Sequence, residues 1–360
     1  MSTLVVQVER LAVSFRVRVR TLVVMAVLVV VLAAAGVASL MVSRSGAWLT
    51  PSEVLAAIGG QGEGFTNFAV TQIRAPRVVA SILTGFALGV SGAIFQSIAR
   101  NGLVSPDIIG VTSGASLAAL VVIVLGTQAT GAGDSFEVPL SWIAPAALIG
   151  AFGATIAVYL LAYRKGLSPY RLILVGIGLT AVLDAGIAYG LTLTRFPFAT
   201  ELAFRWTIGN LYGTDWTEVG PGLVAFAIII VLALFVVTPL IALGLGDDTA
   251  VGLGSRVEFD RLKLIVVGVC LAAIAVAIAG PIGFVAFIAP HIARALLHIS
   301  GPTVIFASGF IGAGLTLIAD MIAQHALENA ELPIGAITAL IGAPYFLFLL
   351  YRTNRFGDGG

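Results

Sequence analysis

Few side chains in this sequence are candidates for catalysis or for binding a metal ion. Among its 360 residues, 10% are charged, three are histidines and Cys270 is the only cysteine. A single cysteine excludes an intrachain disulfide, and three dispersed histidines predict no metal site. The sequence contains no nucleophile–base pattern and no Gly-x-x-x-x-Gly-Lys-Ser/Thr phosphate loop. We therefore expect a protein that is not an enzyme, does not hydrolyse ATP and binds no cofactor itself.

The side chains that stand out are ionisable groups beside or within apolar sequence. Arg74 and Arg77 are expected to be exposed just before one apolar run, and Asp184 lies inside another. An ionisable residue within a membrane-spanning helix is by default a functional candidate. Asp184 could contact a substrate or water in a channel, or it could bond to a neighbouring helix. His291, which follows Pro290, is expected to be a packing or hydrogen-bonding residue.

The elements that would position these residues are apolar helices. Hydrophobic residues make up 59% of the chain, which is more than a soluble fold could cover, so lipid must be the solvent. A helix needs about 20 apolar residues to cross the hydrocarbon core. Such runs lie at 21–42, 78–99, 108–126, 141–163, 171–194, 219–243, 262–279, 283–298, 303–321 and 334–351. We therefore predict an all-α membrane protein with about ten transmembrane helices.

The basic residues orient these helices. With both termini in the cytoplasm, fourteen of the nineteen Lys and Arg residues lie inside, and all four tryptophans lie at the outer interface. Residues 1–20 then form a cytoplasmic N-terminal segment, and 21–352 form a single transmembrane domain. The first run, Thr21–Val42, is too long for a signal peptide and is interpreted as a retained helix. The net charge of +1 predicts no nucleic-acid partner.

The outer loop 195–217 is predicted to contain a short helix that lies in the outer interface. Thr200 is its candidate N-cap, and Gly209 or Gly213 can end it. Further along the chain, Pro281 is expected to break the seventh span, because proline has no backbone N–H. Broken helices at membrane depth need nearby protein or water for their freed carbonyls, which suits a transporter but also occurs in structural kinks.

The inner loop 244–260 is predicted to form a short helical elbow on the cytoplasmic face. Asp247 or Asp248 is expected to cap the helix, and Gly252 or Gly254 to end it. From these residues alone, the elbow could dock into a soluble partner or be an ordinary turn between helices.

Four stretches of the chain carry a more specific pattern. They are Ile73–Arg77 with Gly85–Gln96 and Arg100–Gly110; Gly246–Gly254; Gly280–Val285 with Pro290–Arg294; and Ala319–Asp320 with Glu331–Gly335 and Ile341–Phe346. Together these motifs resemble the permease subunits of type II ABC importers, which carry iron–siderophore complexes, haem or vitamin B12. The resemblance runs from about residue 70 to the C-terminus.

This resemblance implies a permease of the cytoplasmic membrane of a prokaryote. Its partners would be a second permease, in a homo- or heterodimer, an extracytoplasmic substrate-binding protein and two cytoplasmic ATPases that hold ATP and Mg. The expected cargo is an iron–siderophore complex, with vitamin B12 or haem as alternatives. A different class remains open: an ion-coupled secondary transporter in which Asp184 is the coupling carboxylate.

The resemblance also assigns roles near the outer face. Arg74 and Arg77 would pair with glutamates of the docked binding protein, whereas on the alternative interpretation they anchor outer lipid headgroups. Family members often carry a third arginine shortly after the Ala-Asp of the ninth span. Gln324 occupies that position here, which puts one docking contact in doubt. Glu331 is interpreted as a carboxylate that favours the dipole of the tenth helix.

On the inner side, the resemblance assigns a coupling elbow and a gate. The gate would lie at the start of the fifth helix, at Pro169 and Tyr170. Relatives tend to have small polar residues there, and this sequence departs from that pattern, which puts the gate assignment in doubt. Tyr170 could itself close the path. The coupling residues that would sit in the ATPase cleft are Gly246, Asp247, Asp248, Thr249, Ala250, Val251, Gly252, Leu253 and Gly254.

Overall fold

The computed structural model describes residues 3–8, 13–42, 48–128, 140–164, 168–194, 197–298, 301–327 and 330–357. In the N-terminal segment, strands β1 (Thr3–Val8) and β2 (Val13–Arg18) form an antiparallel hairpin in which Thr3 pairs with Arg18. The sequence pattern does not predict this hairpin. Residues 1–2 and 9–12 of the predicted N-terminal segment, and 195–196 of the predicted outer loop, lie outside the described residues.

The remaining elements are helices. In chain order they are α1 (Val19–Met41), α2 (Pro51–Ile58), α3 (Gly64–Phe68), α4 (Ala75–Ala99), α5 (Val111–Gln128), α6 (Ile143–Ala162), α7 (Pro169–Thr192), α8 (Pro197–Ile208), α9 (Trp216–Phe235), α10 (Val237–Gly244), α11 (Asp247–Gly252), α12 (Val257–Ala279), α13 (Val285–Leu297), α14 (Pro302–His325) and α15 (Ile334–Gly357). Seven helical segments among the described residues are long and apolar enough to span a membrane, and the apolar helices in α5, α13 and α15 are shorter. The prediction of about ten transmembrane helices is confirmed.

The sixth predicted span, 219–243, is divided into α9 and α10. Helix α9 ends at Phe235, and α10 begins at Val237. Pro239 explains the break, because its ring would clash with the carbonyl of Phe235, four residues earlier, and it supplies no N–H.

Helix α4 is the buried centre of the membrane domain, and glycines allow its neighbours to approach. A Cβ on Gly85 or Gly89 would collide with backbone of α14, and one on Gly92 would collide with backbone of α13. Small residues allow this close packing between helices where the hydrophobic effect offers no driving force. Helices α12 and α14 also pack against α4, and most of their residues are buried.

Small residues also form the contacts of α5. Gly114 packs against backbone of α6 at Gly150, and Gly186 and Gly190 of α7 receive the side chains of Leu117 and Leu120. These glycines therefore serve helix packing. Most of the remaining surface of α7 and α9 is open. Because this surface includes many large apolar side chains, lipid or another protein must cover it.

The predicted outer helix is present as α8, but it begins at Pro197 rather than at Thr200. Thr200 lies inside the helix, where its hydroxyl donates to Thr194 Oγ1 at 3.1 Å. Proline is favoured in the first turn of a helix because the missing N–H needs no partner there. The helix ends at Ile208, before Gly209 at a φ of 80°.

The predicted break at Pro281 separates α12 from α13. Helix α12 ends at Ala279, and α13 begins after Phe284, which has a φ of 66°. The carbonyl of Ala279 accepts a hydrogen bond from the Asn210 N–H at 2.8 Å. The break is thus stabilised by the segment that follows α8, as a non-helical backbone inside a membrane requires.

Candidate functional site

A charged cluster joins the ends of α4 and α14 that the charge distribution places outside. Arg77 Nε and Nη2 lie 3.1 and 2.8 Å from Asp320 Oδ1, and Arg77 Nη1 lies 2.9 Å from Glu331 Oε2. Gln324 Nε2 donates to Asp320 Oδ2 at 2.8 Å. The side chains of Arg77 and Asp320 are only 13% and 1% exposed. This outer cluster, Arg77, Asp320, Gln324 and Glu331, therefore ties α4 and α14 to the segment before α15.

Arg74 lies beside this cluster but has different partners. It is the last residue of a π-helical turn, Ala69–Arg74, in which the Ala75 N–H bonds to the Val70 carbonyl, five residues back. Pro76 supplies no N–H to the preceding turn, which accounts for the wider geometry. The Arg74 Nη1 donates to the Leu40 carbonyl at the end of α1 at 2.6 Å.

These contacts correct two expectations from the sequence. Arg74 and Arg77 were expected to be exposed, but both are partly buried, and Arg77 is ion-paired within the protein. Glu331 was interpreted as a helix-dipole partner, but it lies before the first residue of α15 and binds Arg77. Whether Arg74, Arg77 and Gln324 dock a binding protein stays a prediction.

A cavity of about 440 Å³ lies between α5, α7 and the break that precedes α13. Its volume falls in the range of small-molecule sites. Hydroxyls and carboxylates form one part of its lining, and phenyl rings form another. These residues are Ser105, Asp107, Thr112, Ser113, Thr180 and Asp184, with Phe284, Phe287 and Phe346.

We call this space the pathway cavity, after the predicted role of Asp184, which is one of its lining residues. Its carboxylate Oδ1 accepts a hydrogen bond from Ser113 Oγ of α5 at 2.6 Å. Asp184 therefore bonds to a neighbouring helix and also lines the cavity. Its contact with a substrate or with channel water stays a prediction. Its exposed carboxylate lies on α7, whose surface is largely open.

Asp107 is a second carboxylate of the pathway cavity, and sequence reasoning did not select it. It lies in a 3-10 turn, Pro106–Ile109, and its Oδ1 has no hydrogen-bond partner within the described ranges. Burial raises the pKa of the Asp107 carboxyl to about 6, against the lowering effect of the Thr112 and Ser105 hydroxyls. Its only sequence signal was its place in the Arg100–Gly110 motif.

The elbow forms as the short helix α11, but its capping differs from the prediction. Gly246, at a φ of 115°, is the N-cap, and no side chain caps the helix. Asp247, expected as a cap, instead accepts hydrogen bonds from two arginines. Arg100 Nη2 lies 2.6 Å from its Oδ1, and Arg261 Nη2 lies 3.1 Å from its Oδ2.

The Asp247 clamp, which we define as Asp247 with Arg100 and Arg261, joins three elements. Arg100 follows α4 and also donates to the Leu243 carbonyl of α10 at 2.9 Å, whereas Arg261 is on α12 and 6% exposed. Val251 and Leu253, near the end of α11, expose large apolar side chains. The elbow therefore exposes an apolar surface near its end, while its first residue, Asp247, is ion-paired with two arginines.

The predicted gate residues lie far from the pathway cavity. Helix α7 begins at Pro169, and Tyr170 is 73% exposed. Tyr170 and Asp184 are 14 positions apart on α7, which corresponds to about 21 Å at 1.5 Å per residue. The structure does not bring the gate residues close to the lining of the pathway cavity. The gate assignment stays a prediction.

His291 is held as the sequence suggested. Its Nε2 lies 2.8 Å from the Gly102 carbonyl, and its ring centroid is 5.0 Å from that of Phe287. The described residues contain no group of three or more His, Cys, Asp or Glu that could hold a metal ion. His291 is therefore a hydrogen-bonding and packing residue that positions the loop after α4.

Comparison with known proteins places this arrangement in a family. The FecCD transport family model matches residues 28–352. The chain belongs to the FecCD transport family. The FecCD relatives include the ferric enterobactin transport system permease protein FepG of Escherichia coli (strain K12), which is 40% identical over 316 residues that cover 87% of this chain and 91% of FepG. Another is the achromobactin transport system permease protein CbrC of Dickeya dadantii (strain 3937), 40% identical over 335 residues that cover 91% and 90%.

This FecCD permease is also similar to a solved structure, described as an inward-facing conformation of a metal-chelate type ABC transporter. The TM-score is 0.76 at 27% identity, and the match covers 92% of this chain and 99% of that chain. The expected resemblance to ABC importer permeases is confirmed. The chain is a transport subunit rather than a catalytic one, and it is a multi-pass protein of the cytoplasmic membrane of a prokaryote.

Proposed function

We propose that this FecCD permease is the transmembrane subunit of an ATP-driven importer whose cargo is an iron–siderophore complex. The observation that carries the proposal is the pathway cavity, which combines carboxylates, hydroxyls and phenyl rings beside a broken helix. Such a lining offers both polar and apolar contacts to a large organic chelate. FepG and CbrC, the relatives described above, are permeases for ferric enterobactin and for achromobactin.

A second permease, against α7, would complete the pathway. The carboxylate of Asp184 is exposed on α7, near the middle of a predicted span. A carboxylate that faced hydrocarbon there would cost roughly 2.5–3.5 kcal/mol, so water or protein must cover it. Two copies of the pathway cavity, facing each other across α7, would enclose a larger volume than the 440 Å³ of one. Homo- and heterodimers both satisfy this requirement.

ATP hydrolysis would come from separate cytoplasmic ATPases that bind ATP and Mg, because the sequence contains no phosphate loop. The elbow, with its exposed Val251 and Leu253, would sit in a cleft of each ATPase. Closure of the ATPases would then pull α11, and the Asp247 clamp would carry that motion to α4 and α12. This is alternating access by rigid-body movement of helices.

A binding protein would dock at the outer face near Arg74, Arg77 and Gln324. Arg77 already pairs with two carboxylates, so a glutamate of the binding protein must displace one of them. Arg74 bonds only to backbone carbonyls of α1 in the described contacts. Since its charge is not offset by a carboxylate there, Arg74 is the better docking candidate.

The test is an uptake panel in a strain that lacks this gene, complemented with the full chain. Radiolabelled ferric siderophores, haem and vitamin B12 are offered in turn, with and without the partner ATPase. We expect ATPase-dependent uptake of at least one ferric siderophore and none of haem or vitamin B12. A strain whose permease lacks residues 247–253 is the control and should lose both uptake and ATPase co-purification.

Two results would overturn the proposal. Uptake of haem or vitamin B12 alone would reject the siderophore as cargo but retain the importer. Uptake that persists without the ATPase and stops when a protonophore is added would instead identify an ion-coupled secondary transporter, with Asp184 as the first candidate for the coupling carboxylate.

A further inference from the structure

A second cavity, of about 360 Å³, lies at the inner ends of α4, α13 and α14. It shares no lining residue with the pathway cavity. Its rim includes the half-exposed Arg100 and the exposed Asn101, and Gln96, which is 3% exposed, lies deeper. We call this space the basic cavity, because Arg100, Arg294 and His291 line it and none of its lining residues is acidic.

The guanidinium of Arg294 is held in the basic cavity by a neutral partner. Its Nη2 donates to Gln96 Oε1, and Gln96 Nε2 donates in turn to the Phe287 carbonyl at 3.1 Å. Across the described ranges, no carboxylate lies within ion-pair distance of Arg294. A partly buried charge without a counter-charge is costly, so this arrangement favours an anion in the cavity.

The backbone adds to the positive potential. Gly301, the N-cap of α14, lines the basic cavity, and no side chain caps this 24-residue helix. The N-terminus of a long helix carries a partial positive charge and unsatisfied N–H groups. The guanidinium groups, the helix end and the volume thus converge on one space. Arginine and helix N-termini are both favoured partners of phosphate oxygens.

We propose that the basic cavity binds a phosphate-type anion, supplied either by the headgroup of an anionic lipid or by free phosphate. Basic pockets between transmembrane helices on the cytoplasmic side bind lipid headgroups in other membrane proteins. The proposal does not depend on the cargo. Because Arg100 belongs to both the basic cavity and the Asp247 clamp, a bound anion would lie next to the coupling elbow.

The experiment measures binding to the full chain purified in a neutral detergent. One arm follows the thermal unfolding midpoint as inorganic phosphate is added, against potassium chloride at equal ionic strength. The other arm counts bound phosphatidylglycerol by native mass spectrometry, against phosphatidylcholine. Each arm compares the wild-type chain with Arg294→Gln. Arg164→Gln is the matched control, because Arg164 is exposed at the predicted inner surface and does not line the basic cavity.

We expect the wild-type chain to bind one of the two probes, and the probe that binds identifies the source of the anion. Arg294→Gln should weaken that binding about tenfold, equivalent to about 1.4 kcal/mol, whereas Arg164→Gln should leave it unchanged. If Arg294→Gln does not fold, Arg100→Gln at the rim replaces it. Binding of neither probe by the wild-type chain, or equal binding by wild type and the cavity variant, would overturn the proposal.

Discussion

Among the single residues, Arg77 has a role that its contacts within the protein determine. Its position just before an apolar run suggested an exposed side chain, and the family resemblance implied a docking role. In the structure its guanidinium binds Asp320 in a bidentate arrangement and also binds Glu331. The outer cluster therefore holds helices together first, and any docking role requires an exchange of partners.

We predict that Arg77→Ala destabilises the permease much more than Arg74→Ala does. Loss of Arg77 leaves Asp320, which is 1% exposed, without its cation, and breaking a buried pair in this way costs about 3–5 kcal/mol. Loss of Arg74 removes a hydrogen bond to the Leu40 carbonyl, worth roughly 1.5–3 kcal/mol. The midpoint of thermal unfolding of the two purified variants measures the difference. Equal midpoints would show that the outer cluster does not stabilise the fold.

Among the secondary-structure elements, the helical elbow α11 was predicted from the sequence, but its ion pairs with other helices were not. A cap at Asp247 or Asp248 and an end at Gly252 or Gly254 predicted a short helix, and the structure has it over Asp247–Gly252. The Asp247 side chain, expected to cap that helix, instead binds Arg100 and Arg261. The attachment joins α11 to α4 and α12, which are two of the largely buried helices.

We predict that Asp247→Asn uncouples ATP hydrolysis from uptake without releasing the ATPase. The variant loses the charge that both arginines bind but keeps the apolar surface of Val251 and Leu253. Uptake should fall several-fold, while the ATPase still co-purifies and still hydrolyses ATP. Asp248→Asn is the matched control, since Asp248 is exposed on the same helix. Similar uptake by the two variants would mean that the Asp247 clamp carries no motion.

At the scale of the whole molecule, burial divides the helices into two groups. Helices α4 and α12 are largely buried, whereas α1, α7 and α9 leave most of their residues open. Glycine contacts explain the burial of α4, because they bring it against α13 and α14. The second group must meet lipid or a partner, and the carboxylate of Asp184 distinguishes α7 from α9.

We predict that position 184 is reached by water in the assembled transporter. In a Cys270→Ser background, Asp184→Cys should react with a charged, membrane-impermeant methanethiosulfonate reagent, because α7 lines an aqueous pathway. Val231→Cys is the control, because Val231 is also exposed but lies on the apolar helix α9, which should face lipid. Labelling is measured by the mass of the modified chain. Absence of labelling at 184, or equal labelling at both positions, would contradict a pathway along α7.

Hydropathy and proline positions were sufficient to predict the solvent, the order of the membrane-spanning helices and the break at Pro281, but not the break between α9 and α10. Hydropathy, length and proline act locally. The second predicted span, 78–99, is therefore found with nearly the same bounds as α4, Ala75–Ala99, and α12 ends at Ala279, just before Pro281. The N-terminal hairpin was missed. The same local signals could not show that Thr200 lies inside α8 or that Asp107 is partly buried beside Ser105.

Which charged side chains pair with one another depends on contacts between distant parts of the chain. Arg77 and Asp320 are 243 positions apart, Gln96 and Arg294 are 198 apart, and Arg100 and Asp247 are 147 apart. No local pattern encodes these pairs, because they depend on which helix faces pack together. That choice is made by glycines such as Gly85 and Gly89, whose missing side chains let particular helices approach. The sequence therefore specified helices and candidate residues, and packing determined the outer cluster, the Asp247 clamp and both cavities.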